Sequence, residues 1–321
     1  PSRLRRGLLD MNGSLGRVDG GIGIALAEPG IVLSARRGSG FSVTGGDADA
    51  QHRVLAAARA VATALKLPGG AEFTLRSIYP GHVGLGRGTQ LALSAATALC
   101  TLYHQACTPR EAARMTGRGG TSGIGTAAFA LGGFICDGGH SLGDGGDKSA
   151  FLPSSASRGV RPPEVTVRHP FPEGWKIILA IPRAAGGASG NVERDVFSSH
   201  CPVPLEEVRE LSHIVLVALL PALVEGDIEL FGRAVERMQD LGFKRVENML
   251  APPITRELRE AMRDAGAAGA GLSSFGPTVF GFAEGDAGEI ERACREVLDR
   301  AGGGETICTR ACNTGAQVTV T

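Results

Sequence analysis

Aromatic side chains are scarce: one tryptophan, two tyrosines and twelve phenylalanines make up 5% of the 321 residues. Net charge is missing too, because 33 lysines and arginines meet 33 aspartates and glutamates. With no basic excess and no polybasic run, neither nucleic acid nor an anionic membrane surface is an expected partner. The longest apolar run, HIVLVALLPAL (213–223), is too short to cross a bilayer. The N-terminal PSRLRRGLLDMNG carries charge but no apolar stretch of signal-peptide length, so a cytoplasmic setting is expected. Zinc-site spacing is absent among the seven cysteines. Cys308 and Cys312 have no second pair, and Cys100 and Cys107 flank His104 at a spacing foreign to most zinc modules. Buried free thiols in a reducing compartment are the expectation. No period of about 20–50 residues repeats, which excludes a solenoid.

Glycine is abundant, at 48 residues, and much of it clusters in loops where backbone can meet a ligand. Apolar residues at 43% and charged residues at 21% are those of a globular chain. IGIALAEPGIVLSARR (22–37) reads as a hairpin around Glu28-Pro29-Gly30. Val54, Leu55, Ala58, Val61 and Leu65 share one helical face over 51–67. A strand over 71–80 delivers a glycine turn, and a helix over about 88–106 follows. Thr108 as N-cap and Pro109 at the first position start a short helix. A second glycine loop (119–126), a short helix and a strand around Phe134-Ile135-Cys136 come next. Residues 142–164 read as a mobile excursion. Further helices are expected at 204–224, 227–241, 254–265 and 286–301, and strands at 175–181, 277–283, 305–310 and 315–321. This gives an α+β chain of two lobes, 1–170 and 171–321.

GHVGLGRGTQLALSAATALC (81–100) runs a glycine turn into a helix start. Gly84, Gly86 and Gly88 let backbone approach a ligand closely, and a helix start offers free N–H groups to an anion. The order of this loop, TSGIGT (121–126) and GAGLSSFGPTVF (269–280) resembles the GHMP superfamily. LGRVDGGIGIAL (15–26), PFPEGWKIILAIP (170–182) and LLPALVEGDIELFGRAVERMQ (219–239) narrow the likeness to the β-ribofuranosylaminobenzene 5′-phosphate synthase family, over nearly the whole chain. The resemblance implies a GHMP-kinase-like two-lobe fold, with an N-terminal S5-like α/β lobe and a C-terminal ferredoxin-like α+β lobe. It also implies transfer of phosphoribosyl from phosphoribosyl pyrophosphate to 4-aminobenzoate or 4-hydroxybenzoate. That transfer loses carbon dioxide and pyrophosphate and leads to tetrahydromethanopterin. Mg²⁺, a homodimer and a cytoplasmic setting follow from the same likeness.

For the site, the resemblance and the chemistry together nominate Asp19, Arg17 and Asp10 as catalytic residues. Asp19 is the first choice for a carboxylate beside an oxocarbenium-like ribosyl carbon. Phosphate and substrate contacts are expected from Gly84, Leu85, Gly86, Arg87, Gly88, Thr89 and Gln90, from Ser122, Gly123 and His140, and from Ser273 and Ser274. Glu193 is a further candidate, and Asp144 and Asp147 read as an acidic loop. No Mg²⁺ ligands are assigned. Arg5 stands where the family pattern has a histidine, and Arg87 where it has a small residue, so both add positive charge near a phosphate. Gly125 stands where the superfamily's kinases carry an acid. A glycine accepts no proton, which argues against an ATP-dependent kinase, with nearby Asp137 as the residue that would reopen that alternative.

Overall fold

The computed structural model describes residues 1–154, 156–157, 159–183 and 191–320. The N-terminal lobe begins with β1 (Ser2–Asp10), β2 (Arg17–Leu26), β3 (Val32–Gly38) and β4 (Phe41–Thr44). Next come α1 (Ala48–Leu65), β5 (Gly70–Ser77), α2 (Arg87–Leu102), α3 (Pro109–Met115) and α4 (Ile124–Ala130). β6 (Phe134–Asp137), the short β7 (His140–Ser141) and β8 (Val165–His169) complete it. The second half runs β9 (Trp175–Pro182), α5 (Asn191–His200), α6 (Leu205–Ile214), α7 (Leu220–Glu225), α8 (Ile228–Met238), α9 (Gly242–Met249) and α10 (Ile254–Asp264). β10 (Gly269–Leu272), β11 (Val279–Glu284), α11 (Gly288–Arg300) and β12 (Gly304–Thr309) end it.

Three sheets result, ordered β1-β2-β6-β8 with β7 beside β2, β3-β5-β4, and β10-β11-β9-β12. The first two belong to the N-terminal half and the third, wholly antiparallel, to the C-terminal half. A shared core joins the halves. Phe171, Trp175, Phe231 and Phe282 pack ring against ring at 5.1–6.0 Å and meet Leu4, Ile24 and Phe134 of the first sheet. The mixed α and β composition is as expected.

Local chemistry fixes several boundaries. Asp47 caps α1 by accepting from the Ala50 N–H at 2.8 Å. Thr108 and Glu111 cap α3 reciprocally, with Pro109 at its start. The helix expected over 204–224 is split by a π-helical turn at Val215–Leu219. Pro221 explains the split, because it lacks an N–H and its ring crowds the carbonyl four residues back.

Two sequence expectations fail. Residues 22–37 do supply two strands, but β2 pairs with β1 and β6 while β3 pairs with β5, so no hairpin forms. Apolar β2 is buried along almost its whole length and takes the sheet centre, whereas β3 carries Arg36 and Arg37 and stays on a separate, half-exposed sheet. The strand expected at 315–321 is also absent over 315–320. Val318 and Val320 alternate as a strand would, yet they pair with no strand among the described residues and remain 55% and 78% exposed.

Candidate active site

The glycine turn at 84–88 sits where β1, the start of α2 and the Ser273–Ser274 turn converge. Gly84 has φ +85, and a Cβ there would lie 2.3 Å from the Ser273 carbonyl oxygen, so no other residue fits without rearrangement. Three donors hold this turn to the rest of the site. Ser273 Oγ donates to the Gly84 carbonyl at 2.8 Å, Arg3 Nη1 donates to the same oxygen at 2.6 Å, and Thr278 Oγ1 donates to the Val83 carbonyl at 2.5 Å. Gly86 is the N-cap of α2, and the Thr89 and Gln90 N–H groups turn back to its carbonyl. The Arg87 and Gly88 amides, being the first two of the helix, have no acceptor within it.

Not every residue of GLGRGTQ faces a ligand. Leu85 is a core side chain, 1% exposed, and its carbonyl accepts from Tyr79 Oη at 3.2 Å. Gln90 is buried and donates to the Gly125 carbonyl at 2.8 Å, which ties α2 to α4. Arg87 departs from the sequence expectation. Its Nη1 donates to Asp47 at 2.6 Å and its Nη2 to Asp49 at 2.8 Å, so its charge is already matched by two carboxylates. Arg3, which pairs with no carboxylate among the described residues, also stands beside this turn, and a Cβ on Gly86 would point at it from 2.8 Å.

Asp19 lies in β2 opposite Asp10 of β1, in a left-handed conformation with φ 71. Its carboxylate is 0% exposed and holds two partners: His140 Nδ1 at 2.6 Å and Lys148 Nζ at 2.9 Å. His140 Nε2 reaches the Arg161 carbonyl at 3.0 Å, an oxygen that only accepts, so Nε2 carries hydrogen. Lys148 also donates to the Leu152 carbonyl at 2.8 Å. Together these bonds fasten Lys148, Leu152 and Arg161 over Asp19. Contact between this carboxylate and a substrate therefore requires that cover to lift.

Arg17, two residues earlier, does not pair with Asp19. Its guanidinium donates to the Gly138 carbonyl at 2.6 Å and the Gly139 carbonyl at 3.0 Å, and its side chain stays exposed. Asp10 caps the β1–β2 turn through Oδ1, accepting from the N–H groups of Asn12 at 2.7 Å and Gly13 at 2.9 Å. Asp147 accepts from Ser141 Oγ at 2.8 Å, and Asp144 is exposed in the same loop.

Asp137 organises the second glycine loop. It accepts from Ser122 Oγ at 3.1 Å and from the N–H groups of Gly123 at 2.8 Å, Gly139 at 3.0 Å and Gly21. Burial pushes its carboxyl up to about 6, against the pull of those donors. A protonated Asp137 must present an O–H where amide N–H groups face it. The ionised form is thus the one that holds the 121–126 loop, and kcat/KM is expected to fall below a pH of about 6. The limb should vanish in Asp137→Asn. Stability has the opposite sign: between pH about 4 and 6 the unfolded carboxyl ionises while the folded one keeps its proton, so stability declines with rising pH across that window. Rate profiles and urea titrations of both proteins read out the two effects.

A third cluster joins β1 to α9 and the late loop. Arg5 Nη2 donates to Glu247 at 2.7 Å and to Ser274 Oγ at 2.8 Å, and Lys244 Nζ donates to Glu247 at 2.7 Å and to the Ser274 carbonyl at 3.1 Å. Glu193 faces the same cluster: burial raises its carboxyl, and the Arg5 charge works against that rise. Among the described residues no group of three or more His, Cys, Asp or Glu side chains could hold a metal ion. The carboxylates of Asp19 and Asp137 are each saturated by donors or a cation. The described residues form no carboxylate cage for Mg²⁺, so the ion would fit here as part of a phosphate complex.

Sequence reasoning passed over Lys148, Arg3, Lys244 and Glu247. Lys148 sits in GDGGDKS, which reads as a loop; Lys244 and Glu247 sit on α9, a helix the sequence reading left out. Only the i, i+3 spacing of Lys244 and Glu247 was visible, and such pairs are ordinarily solvated.

Residues 52–133 match the GHMP kinases N-terminal domain and residues 219–300 the GHMP kinases C-terminal domain. A homoserine kinase from Cytophaga hutchinsonii superposes with a TM-score of 0.65 at 19% identity, over 98% of this chain and 95% of that one. L. major mevalonate kinase in complex with R-mevalonate gives 0.66 at 17% identity, over 98% and 95%. These likenesses speak for the fold alone. Sequence relatives go further. β-Ribofuranosylphenol 5′-phosphate synthase of Methanothermobacter thermautotrophicus is 44% identical over 98% of this chain and 96% of its own length. Its namesake from Methanocaldococcus jannaschii is 42% identical over 99% and 98%. A homoserine kinase of Listeria innocua is 32% identical, but over only 41% of the chain. The full-length match, laid on the two GHMP domains and their converging loops, places the chain in the β-ribofuranosylphenol 5′-phosphate synthase family of the GHMP superfamily.

Proposed function

We propose that this chain transfers the 5-phosphoribosyl group of phosphoribosyl pyrophosphate to 4-hydroxybenzoate, a step toward tetrahydromethanopterin. The observation that carries this is the full-length relationship to synthases named for a ribofuranosylphenol 5′-phosphate. A β-ribofuranosylphenol retains a hydroxyl on its ring, which favours 4-hydroxybenzoate over 4-aminobenzoate as acceptor. In the step, the bond from C1′ to the diphosphate oxygen breaks and its electron pair leaves with pyrophosphate. The ring carbon bearing the carboxylate bonds to C1′, and the pair of the broken C–CO₂ bond restores aromaticity as carbon dioxide departs.

The residues support this in distinct ways. The amides of the 84–88 turn and the α2 start donate to phosphate oxygens. The Asp19 carboxylate favours positive charge developing at C1′, with Arg17 on the diphosphate side. Ser122 and Gly123, held by Asp137, and Ser273 and Ser274, held by Arg5, border the same space. Mg²⁺ would enter with the diphosphate and offset its charge. The kinase alternative lacks its base: Gly125 has no proton acceptor, and all of Asp137's capacity is taken up by loop donors. The test uses carboxyl-labelled 4-hydroxybenzoate, phosphoribosyl pyrophosphate and Mg²⁺. Labelled carbon dioxide released with the stoichiometry of pyrophosphate is expected; ADP formation from ATP without it would overturn the reading.

A homodimer belongs to the same reading. Leu216 (69% exposed) and Val224 (64%) lie eight residues apart with half-buried Leu220 between them, one apolar stripe along α6–α7 with Val217 beside it. A second copy of the chain is the proposed cover. Sedimentation at micromolar concentration should give a dimer, and Leu216→Lys should shift it to monomer.

A further inference from the structure

A cleft of about 360 Å³ opens between α1, α2 and the segment that follows α3. Ala57, Ala92 and Met115 form its apolar wall, and Arg53 and Arg118 stand at its charged end. Arg53 Nε donates to both oxygens of Asp49, at 2.9 and 2.8 Å, which leaves its two terminal nitrogens without an acceptor among the described residues. Arg118 makes no side-chain hydrogen bond and has no carboxylate within 4.0 Å among the described residues, and its Nε is buried. Burial, and then the charge of Arg53, lower its pKa.

The two guanidinium groups converge on one point of backbone. A Cβ at Gly88 would lie 3.0 Å from Arg53 Nη1 and 3.5 Å from Arg118 Nη2. Gly88 is the second residue of α2, so its N–H and that of Arg87 have no acceptor within the helix. Two cations are held together beside two amides that have no acceptor within the helix. Asp49 lines the cleft too, but its oxygens are engaged by Arg53 Nε and Arg87 Nη2. Arg53, Arg87 and Arg118 against Asp47 and Asp49 leave one positive charge in excess. Such an arrangement favours an anion between them. The number of donors selects its kind. A carboxylate has two oxygens and is satisfied by a single guanidinium fork, whereas two forks and two amides suit a dianion with three terminal oxygens.

We propose that Arg53 and Arg118, with the Arg87 and Gly88 amides, bind a phosphate group of phosphoribosyl pyrophosphate in this cleft. The identity of that ligand rests on the transferase reading above; the anion site rests on the geometry. The ligand then lies across the first turn of α2, with one phosphate at the arginines and the ribosyl carbon on the side of Gly125 and Ser122. Thr89 marks that second side, because it lies 3.0 Å from a Cβ placed on Gly125.

Isothermal titration with inorganic pyrophosphate, and separately with ribose 5-phosphate, both in Mg²⁺ buffer, tests this without turnover. Arg118→Gln is expected to weaken one of the two probes by about tenfold or more, the loss of charge-assisted hydrogen bonds. Arg53→Gln should weaken the same probe, and Arg118→Lys should recover part of the loss. Loss confined to pyrophosphate assigns the cleft to the diphosphate, and loss confined to ribose 5-phosphate assigns it to the 5′-phosphate. Arg118→Gln should melt within a few degrees of the parent, having no protein partner to lose; if it unfolds, Arg53→Gln decides. Unchanged binding of both probes by the glutamine variants, or no binding of either by the parent protein, overturns the proposal. A parent protein that binds pyrophosphate through Arg118 yet releases no carbon dioxide keeps the site and sinks the transferase reading.

Discussion

Asp19→Asn is expected to lower kcat by about 10²–10⁴-fold, the scale of losing one charge-stabilising group, with KM for phosphoribosyl pyrophosphate changed only several-fold. The substitution keeps size and removes charge, so it acts where positive charge develops at C1′. It also strips Lys148 of its carboxylate at a site where both side chains are no more than 1% exposed. Breaking such a pair costs about 3–5 kcal/mol of stability. The double variant Asp19→Asn/Lys148→Met separates the two effects, because it removes both charges. Recovered stability with kcat still depressed assigns the carboxylate to the reaction. Recovery of both means that Asp19 only pins Lys148 and His140 in place. Arg17→Ala should instead raise KM, since pyrophosphate is held in the ground state as well. Asp10 is a poor substitute for Asp19, because its Oδ1 is engaged by two turn amides.

The contrast between Asp19 and Arg87 shows what the sequence could disclose. Glycine turns, helix caps and the GHMP order of loops are local signals, and from them the glycine turn before α2 and the Thr108 cap of α3 were legible. Whether a charged side chain is free is a tertiary property. Arg87 lies in the right loop, yet Asp47 and Asp49, some forty residues earlier, take up its charge. Asp19 stands two residues after Arg17, yet its partners are His140 and Lys148, more than a hundred residues away. The missed hairpin has the same origin: strand propensity in 22–37 was correct, and the choice of pairing partner was settled by burial of β2 between β1 and β6. The cation pair Arg53–Arg118 left no mark in the sequence, since its members lie on separate elements.

Glu247→Leu is expected to cost about 3–5 kcal/mol, because it leaves Arg5 and Lys244 buried together without an anion. The side chains of Lys244 and Glu247 are each 1% exposed, and that of Arg5 is 9%. Burial pushes Lys244 down to about 8 even with Glu247 beside it, and removing Glu247 pushes it lower still. Between that folded value and the ordinary lysine range the unfolded chain binds more protons than the folded one, so the variant's stability should rise with pH toward about 10. The effect reaches the substrate through the late loop: Arg5 and Lys244 both bond Ser274, and Ser273 bonds the Gly84 carbonyl. A rise in KM for phosphoribosyl pyrophosphate should therefore accompany the loss of stability. Glu247→Leu/Lys244→Met should regain much of the stability while KM stays raised, because Arg5 still lacks its anchor. Urea titrations at pH 7 and 9, with steady-state kinetics on both variants, measure each part. Stability unchanged at pH 7 would mean that water reaches the three side chains and that the cluster does not hold the loop.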